Sequence, residues 1–323
     1  VAVGRLALSA NSVGSYNTAL GQSALTTNTG SYNTACGEES LYYNTSASNN
    51  NAFGYQSLYK NTTGTPNDAF GYQALYSNTT GANNVAVGYQ ALQANTVGYG
   101  STAIGSQALY NNTTGTNVAV GYYVLNSNTT GTGNIGIGGT DGLGGIYQTL
   151  RFNTTGNYNI GMGMGALARN TTGSNNIAIG YAASQFNTVG INTTAIGHIA
   201  LQNNTASNNT AVGSGALQAN TTGTPNDAFG YQALLNNTTG FQNVAVGAYA
   251  LYNNTVANYS VGVGYQALYS NTTGASNTAV GRAALYLNSV GSNNTAVGQG
   301  ALNLNTASSN TAVGYNALNA NTT

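Results

Sequence analysis

Nineteen times along this chain a Gly is preceded by an apolar residue and, before that, by Ala or Gly; the frame then runs on to an Asn followed by Ser or Thr. The frame Gly falls at 4, 21, 37, 54, 71, 88, 105, 121, 138, 163, 180, 197, 213, 230, 247, 264, 281, 298 and 314, a spacing of 16 or 17 with one exception of 25. That exception holds an insert, 139–146, after which Tyr147–Leu150 resumes the frame. So short a period is incompatible with one central core, because each unit can bury its apolar face only against its neighbours. The repeat predicts an all-β parallel β-solenoid of about 19 coils with a 16–17-residue repeat, a single array over 1–323, with 139–146 a loop insertion within one coil. At an interstrand spacing of about 4.8 Å such a stack would be about 90 Å long.

Position by position, the unit predicts its own geometry. The residue two before the Gly is Ala or Gly in all nineteen units, so something packs too close there for a larger side chain. The residue just before the Gly is always apolar, as in Val3, Leu20, Phe53, Ile104 and Met162, and is expected to point inward from a short strand. The unvarying Gly implies a backbone angle open only to Gly or close approach by another backbone. Four residues on, Leu recurs as the second core residue, and each coil is expected to be two short strands and two corners.

Seven residues into each unit stands Asn11, Asn28, Asn44, Asn61, Asn78, Asn95, Asn112, Asn128, Asn153, Asn170, Asn187, Asn204, Asn220, Asn237, Asn254, Asn271, Asn288, Asn305 or Asn321, the insert shifting Asn153. Stacked coils would align these amides into a ladder. Asn-X-Ser/Thr is also a glycan acceptor, but only eleven of the nineteen sites complete it. Asn persists where the motif is lost, so a structural ladder is the better reading, with glycans on some exposed sites as the alternative. A second Asn recurs four before the Gly, as in Asn17, Asn33 and Asn84, and reads as a turn residue.

Only 3% of residues are charged, and five basic residues balance five acidic ones. Scattered Arg5, Lys60, Arg151, Arg169 and Arg282 give no footprint for nucleic acid. No segment approaches the roughly twenty apolar residues of a membrane-spanning helix, so no membrane insertion is expected in this segment. Near-zero net charge favours association. One bulky apolar residue and one Leu per coil make a thin core, which also argues for oligomers. Of 24 Tyr, one set follows the Gly (Tyr55, Tyr72, Tyr89) and another lies five after it (Tyr42, Tyr59, Tyr76). These stripes, with Asp141 in the insert, form a candidate contact surface; the alternative is ring stacking within the solenoid. The insert itself reads either as a recognition loop or as a tolerated insertion.

The recurring Asn-Thr-Ala-Val-Gly of 209–213, 277–281 and 294–298, with Leu for Val in 17–21, resembles the head repeats of trimeric autotransporter adhesins. Similar repeats occur in phage tail fibres. The resemblance implies a left-handed parallel β-roll, with three chains side by side. The unit here is longer and richer in Tyr than the usual adhesin head, and no coiled-coil stalk or anchor barrel is seen. Both ends are ordinary repeat segments, so further chain or head-to-tail copies are expected beyond them. Identical Thr65–Leu75 and Thr224–Leu234 segments point to duplication of a nine-coil block.

For catalysis the chain offers little: His198, Cys36, Glu38, Glu39, Asp68, Asp141 and Asp227. His198 stands where other units carry Tyr, Arg or Gln, Cys36 is expected to act as a buried small hydrophobe, and Glu38 and Glu39 are expected to point to opposite faces of a strand. Asp68 and Asp227 read as turn residues after Pro66 and Pro225. No enzyme, metal or cofactor is expected. The expected role is a non-enzymatic extracellular fibre or adhesin at a cell surface, self-associating as a homotrimer and contacting host-surface or matrix glycans. A phage tail-fibre shaft or receptor-binding segment, on a virion, is the alternative. An ice-binding solenoid is the third reading, opposed by consecutive Thr that cannot share one face.

Overall fold

Short stretches such as Asn84-Val85-Ala86-Val87 join β-formers to a small residue and end at a Gly, and each becomes a strand of two to four residues. The computed structural model describes residues 1–139 and 147–321, which contain no helix. The chain forms two units, Val1–Met164 and Gly165–Thr323. Described strands run from β1 (Ala2–Val3) to β10 (Ile160–Met162) in the first unit, and from β11 (Ile177–Ile179) to β19 (Thr311–Val313) in the second.

Within each unit every strand pairs in parallel, in register, with the strand one coil on. In the first, β5 (Asn67–Phe70) meets β6 (Asn84–Val87) with Asn67 opposite Asn84 and Phe70 opposite Val87. In the second, β14 (Asn226–Phe229) meets β15 (Asn243–Val246) in the same register. Each unit is therefore a parallel β-solenoid, the solution available when one-coil repeats keep like residues opposite one another.

Both readings of the frame Gly hold at once. Gly71 has φ +140°, and a Cβ there would lie 2.4 Å from the Gly88 carbonyl oxygen of the next coil. Backbone meets backbone, so no side chain fits.

The expected second strand is absent from the described coils. After the Gly, left-handed residues alternate with others: Gln73 and Leu75 both have φ 52°, with Ala74 between them. This curls the chain into an arc of turns, yet the arc still bonds coil to coil, with Leu58 N–H donating to Ala74 O at 2.9 Å and Lys60 N–H to Tyr76 O at 3.0 Å. A left-handed backbone disfavours a non-Gly residue by roughly 1–2 kcal/mol. The same Leu offsets it, because full burial of a Leu side chain contributes about 1.5–3 kcal/mol, and Leu75 is 0% exposed.

The expectation that the apolar residue before the Gly points inward is corrected. Strand side chains alternate, and in β5 it is Ala69 that is buried while Phe70 is 39% exposed. The interior is too narrow for a second bulky row. Leu from the arc fills it, and only Ala or Gly fits opposite. Ser40 and Ser57 replace Ala beside that Leu by donating to the carbonyls of Gly37 and Gly54 at 2.9 and 3.0 Å.

Candidate functional site

Turning the strand outward creates a surface that the position of these residues in the repeat had hidden. In the first unit Phe53, Val87, Ile104, Ile137 and Met162 are each 38–41% exposed in one column. Two residues upstream a mixed row sets half-buried Val85, Val118, Ile135 and Ile160 beside Thr18, Thr34, Asn51, Asp68 and Thr102. The second unit repeats the outer column with Ile179, Ile196, Phe229, Val246 and Val280, while its upstream row sets Ile177, Val244 and Val261 among Thr residues and Asp227. Phe53 stacks on Phe70 at 5.0 Å and 9°. Asp68 and Asp227 are the charged residues of the upstream rows, and Asn51 Nδ2 donates to Asp68 Oδ1 at 2.7 Å.

Another lining of the coil is polar and buried. Every member of the Asn row from Asn28 to Asn305 is 0% exposed. Asn61 Nδ2 donates to Asn44 Oδ1 at 2.9 Å and to its own corner at Gly64 O at 3.0 Å, and Asn78 Nδ2 continues to Asn61 Oδ1 at 2.8 Å. In the second unit Asn220 donates to Asn204, Asn237 to Asn220 and Asn254 to Asn237 at 2.7–2.8 Å. One rung is broken in the first unit, where Asn95 Oδ1 is buried without a partner. Such engaged, buried amides are out of reach of a glycosylating enzyme in the folded chain; Asn11 and Asn321 are half-buried.

A second ladder lies beside the first, in the row assigned from sequence to turns. Asn67 Oδ1 accepts the Asn84 N–H at 3.0 Å, and Asn84 Nδ2 reaches Gly98 O of the next corner at 2.9 Å. Asn226 and Asn243 repeat the pattern at 3.0 Å in the second unit. Thr side chains after the first ladder are engaged as well, Thr62 Oγ1 donating to Thr79 O and Thr79 Oγ1 to Thr96 O, both at 3.0 Å. Their hydroxyls serve the backbone of the next coil.

On the arc, Tyr55, Tyr72 and Tyr89 stack at 5.3 and 5.2 Å, and Tyr59 stacks on Tyr76 at 5.1 Å. Stacking hides ring faces and leaves edges and hydroxyls outward. Between these columns runs a Gln ladder that the sequence reading missed, although Tyr-Gln-Ala-Leu recurs. Gln107, Gln90 and Gln73 each donate to the Gln one coil back at 2.9–3.1 Å, and Gln56 ends the ladder on Glu39 Oε2 at 2.7 Å. Burial, followed by repulsion from Glu39 and Glu38, raises the pKa of the Tyr55 phenol.

The remaining candidates do not converge. Glu38 and Glu39 lie in the arc and not in a strand. His198 stacks on Tyr181 at 5.3 Å. Cys36 is a half-buried free thiol on the outer strand face. Among the described residues, no three His, Cys, Asp or Glu side chains gather. Asp141, with 140–146 of the insert, lies outside the described residues.

The coil and its two ladders define a repeat protein of the parallel β-solenoid class. No protein-family model matches the chain, and no curated protein or solved structure matches it.

Proposed function

We propose that this chain is a non-enzymatic extracellular structural fibre or adhesin, in which copies associate side by side as a homotrimer through the outer strand face. The observation that carries this reading is the outward apolar column that the residues before the Gly form in each unit. Monomeric soluble proteins rarely expose contiguous apolar patches of more than a few hundred Å², and subunit interfaces of obligate oligomers are apolar in this manner. Little charge opposes contact, since only 3% of residues are charged and the net charge is zero. The resemblance of the repeats to adhesin heads supports the number three. The arc then remains outward, offering ranks of Tyr hydroxyls and Gln amides to host-surface or matrix glycans, and association along the axis would extend the filament.

Light scattering on the purified chain tests this. The expected mass is three times 32.6 kDa, and a mass of one chain across the micromolar range overturns the proposal. Val87→Glu with Val246→Glu places carboxylates on the outer face and is expected to yield monomers with unchanged circular dichroism, because a charge buried unpaired in an apolar interface is strongly unfavourable.

A further inference from the structure

Of the tyrosine pairs that depart from the stacked columns, two cross from one coil to the next edge-on with their ring centroids no more than 5.3 Å apart. Tyr43 meets Tyr59 of the next coil edge-on, with centroids 5.1 Å apart and planes at 82°. Tyr231 meets Tyr249 of the next coil at 5.3 Å and 84°. Burial and then the neighbouring Tyr43 phenol raise the pKa of the Tyr59 phenol, and burial and then Tyr231 raise that of Tyr249. One ring of each pair is open to reagents, Tyr43 being 46% and Tyr231 47% exposed.

We propose that Tyr43–Tyr59 and Tyr231–Tyr249 are modification sites, each oxidised to a dityrosine that staples one coil to the next. The oxidant is hydrogen peroxide acting through a haem peroxidase. Each phenol gives one electron and its hydroxyl proton to the oxidised haem. The two phenoxyl radicals join through the carbons ortho to their oxygens, and the hydrogens on those carbons move to the oxygens, restoring both phenols. Two hydrogens leave the protein, and one peroxide becomes two waters.

Geometry selects these pairs over the columns. A biaryl holds its two rings end to end, so their attachment points stand farther apart than the interstrand spacing of about 4.8 Å. In-register partners such as Tyr55 and Tyr72, whose rings lie 20° from parallel, are anchored at that spacing and would have to break their coil ladder. The edge-on pairs are diagonal, offset by one residue in the repeat frame, and have the added reach.

The test is to treat the full chain with horseradish peroxidase and hydrogen peroxide, then map cross-links by mass spectrometry of a peptic digest. Expected are peptides joined through Tyr43–Tyr59 and Tyr231–Tyr249, each link lighter by two hydrogens, with dityrosine fluorescence. Tyr43→Phe with Tyr249→Phe is expected to lose most of that fluorescence while circular dichroism is unchanged. Links mainly within the in-register columns, links mainly between chains, or no links overturn the proposal, and the map of the unsubstituted chain decides this without the variant.

Discussion

Replacing Asn61 by Ala removes one rung of the inner ladder and strands three buried groups. Asn44 Oδ1 loses its donor at 2.9 Å, Gly64 O loses its donor at 3.0 Å, and one Asn78 Nδ2 hydrogen loses its acceptor at 2.8 Å. Each orphaned group destabilises by about 1–3 kcal/mol. Water entering the space left by the amide relieves part of this, so we expect a loss of about 3–5 kcal/mol. In a solenoid the effect is local, since each coil contacts only its neighbours. Amide hydrogen exchange is the suitable assay. Amides such as Leu58 N–H and Lys60 N–H, which bond to the next coil at 2.9 and 3.0 Å, should exchange at least about a hundredfold faster, a tenfold change being about 1.4 kcal/mol. Asn61→Asp keeps an acceptor but loses the donors when ionised, and burial raises the folded-state pKa of a carboxyl. With the folded pKa above the unfolded value of about 3.9, its stability should be highest below about pH 4 and fall as the pH rises. An Asn61→Ala change of less than about tenfold in exchange would mean that the ladder does not hold the coils together.

Three further outcomes follow from single positions. Gly71→Ala forces a Cβ against Gly88 O at 2.4 Å with φ at +140° and should lower stability in urea unfolding by at least about 3 kcal/mol, whereas Gly139→Ala, where a Cβ meets nothing, should be near neutral. Ser184 takes the place of the core Leu, and its buried Oγ has no partner; Ser184→Leu should stabilise by about 1–3 kcal/mol in hydrogen exchange, and a loss would reveal a core already full at that coil. Burial, then neighbouring phenols, raises the pKa of the Tyr249 and Tyr269 phenols. Folded pKa values above the unfolded value of about 10 leave stability intact below that pH and erode it above, so the urea midpoint should fall on alkaline titration, and a flat midpoint would contradict the stacking environment.

Periodicity alone carried the coil count, the one-coil register and the row of Asn, because identical residues at a constant spacing can be satisfied together only by stacking like upon like. The recurrence of Asn where the glycan motif fails already pointed to a structural role for the amide. Which way the strand faces was decided by tertiary structure. An apolar residue beside an invariant small one reads as core, but the interior holds one Leu row and no more, so Phe70 turns out and Ala69 turns in. The arc was also illegible, since nothing in Gln73 or Leu75 announces a left-handed backbone; neighbouring coils impose it by accepting the N–H groups that such alternation aims along the stack. The period belongs to the chain, and the inside and outside of each coil belong to the packing, because burial is settled by the space left between coils and not by the hydrophobicity of any one residue.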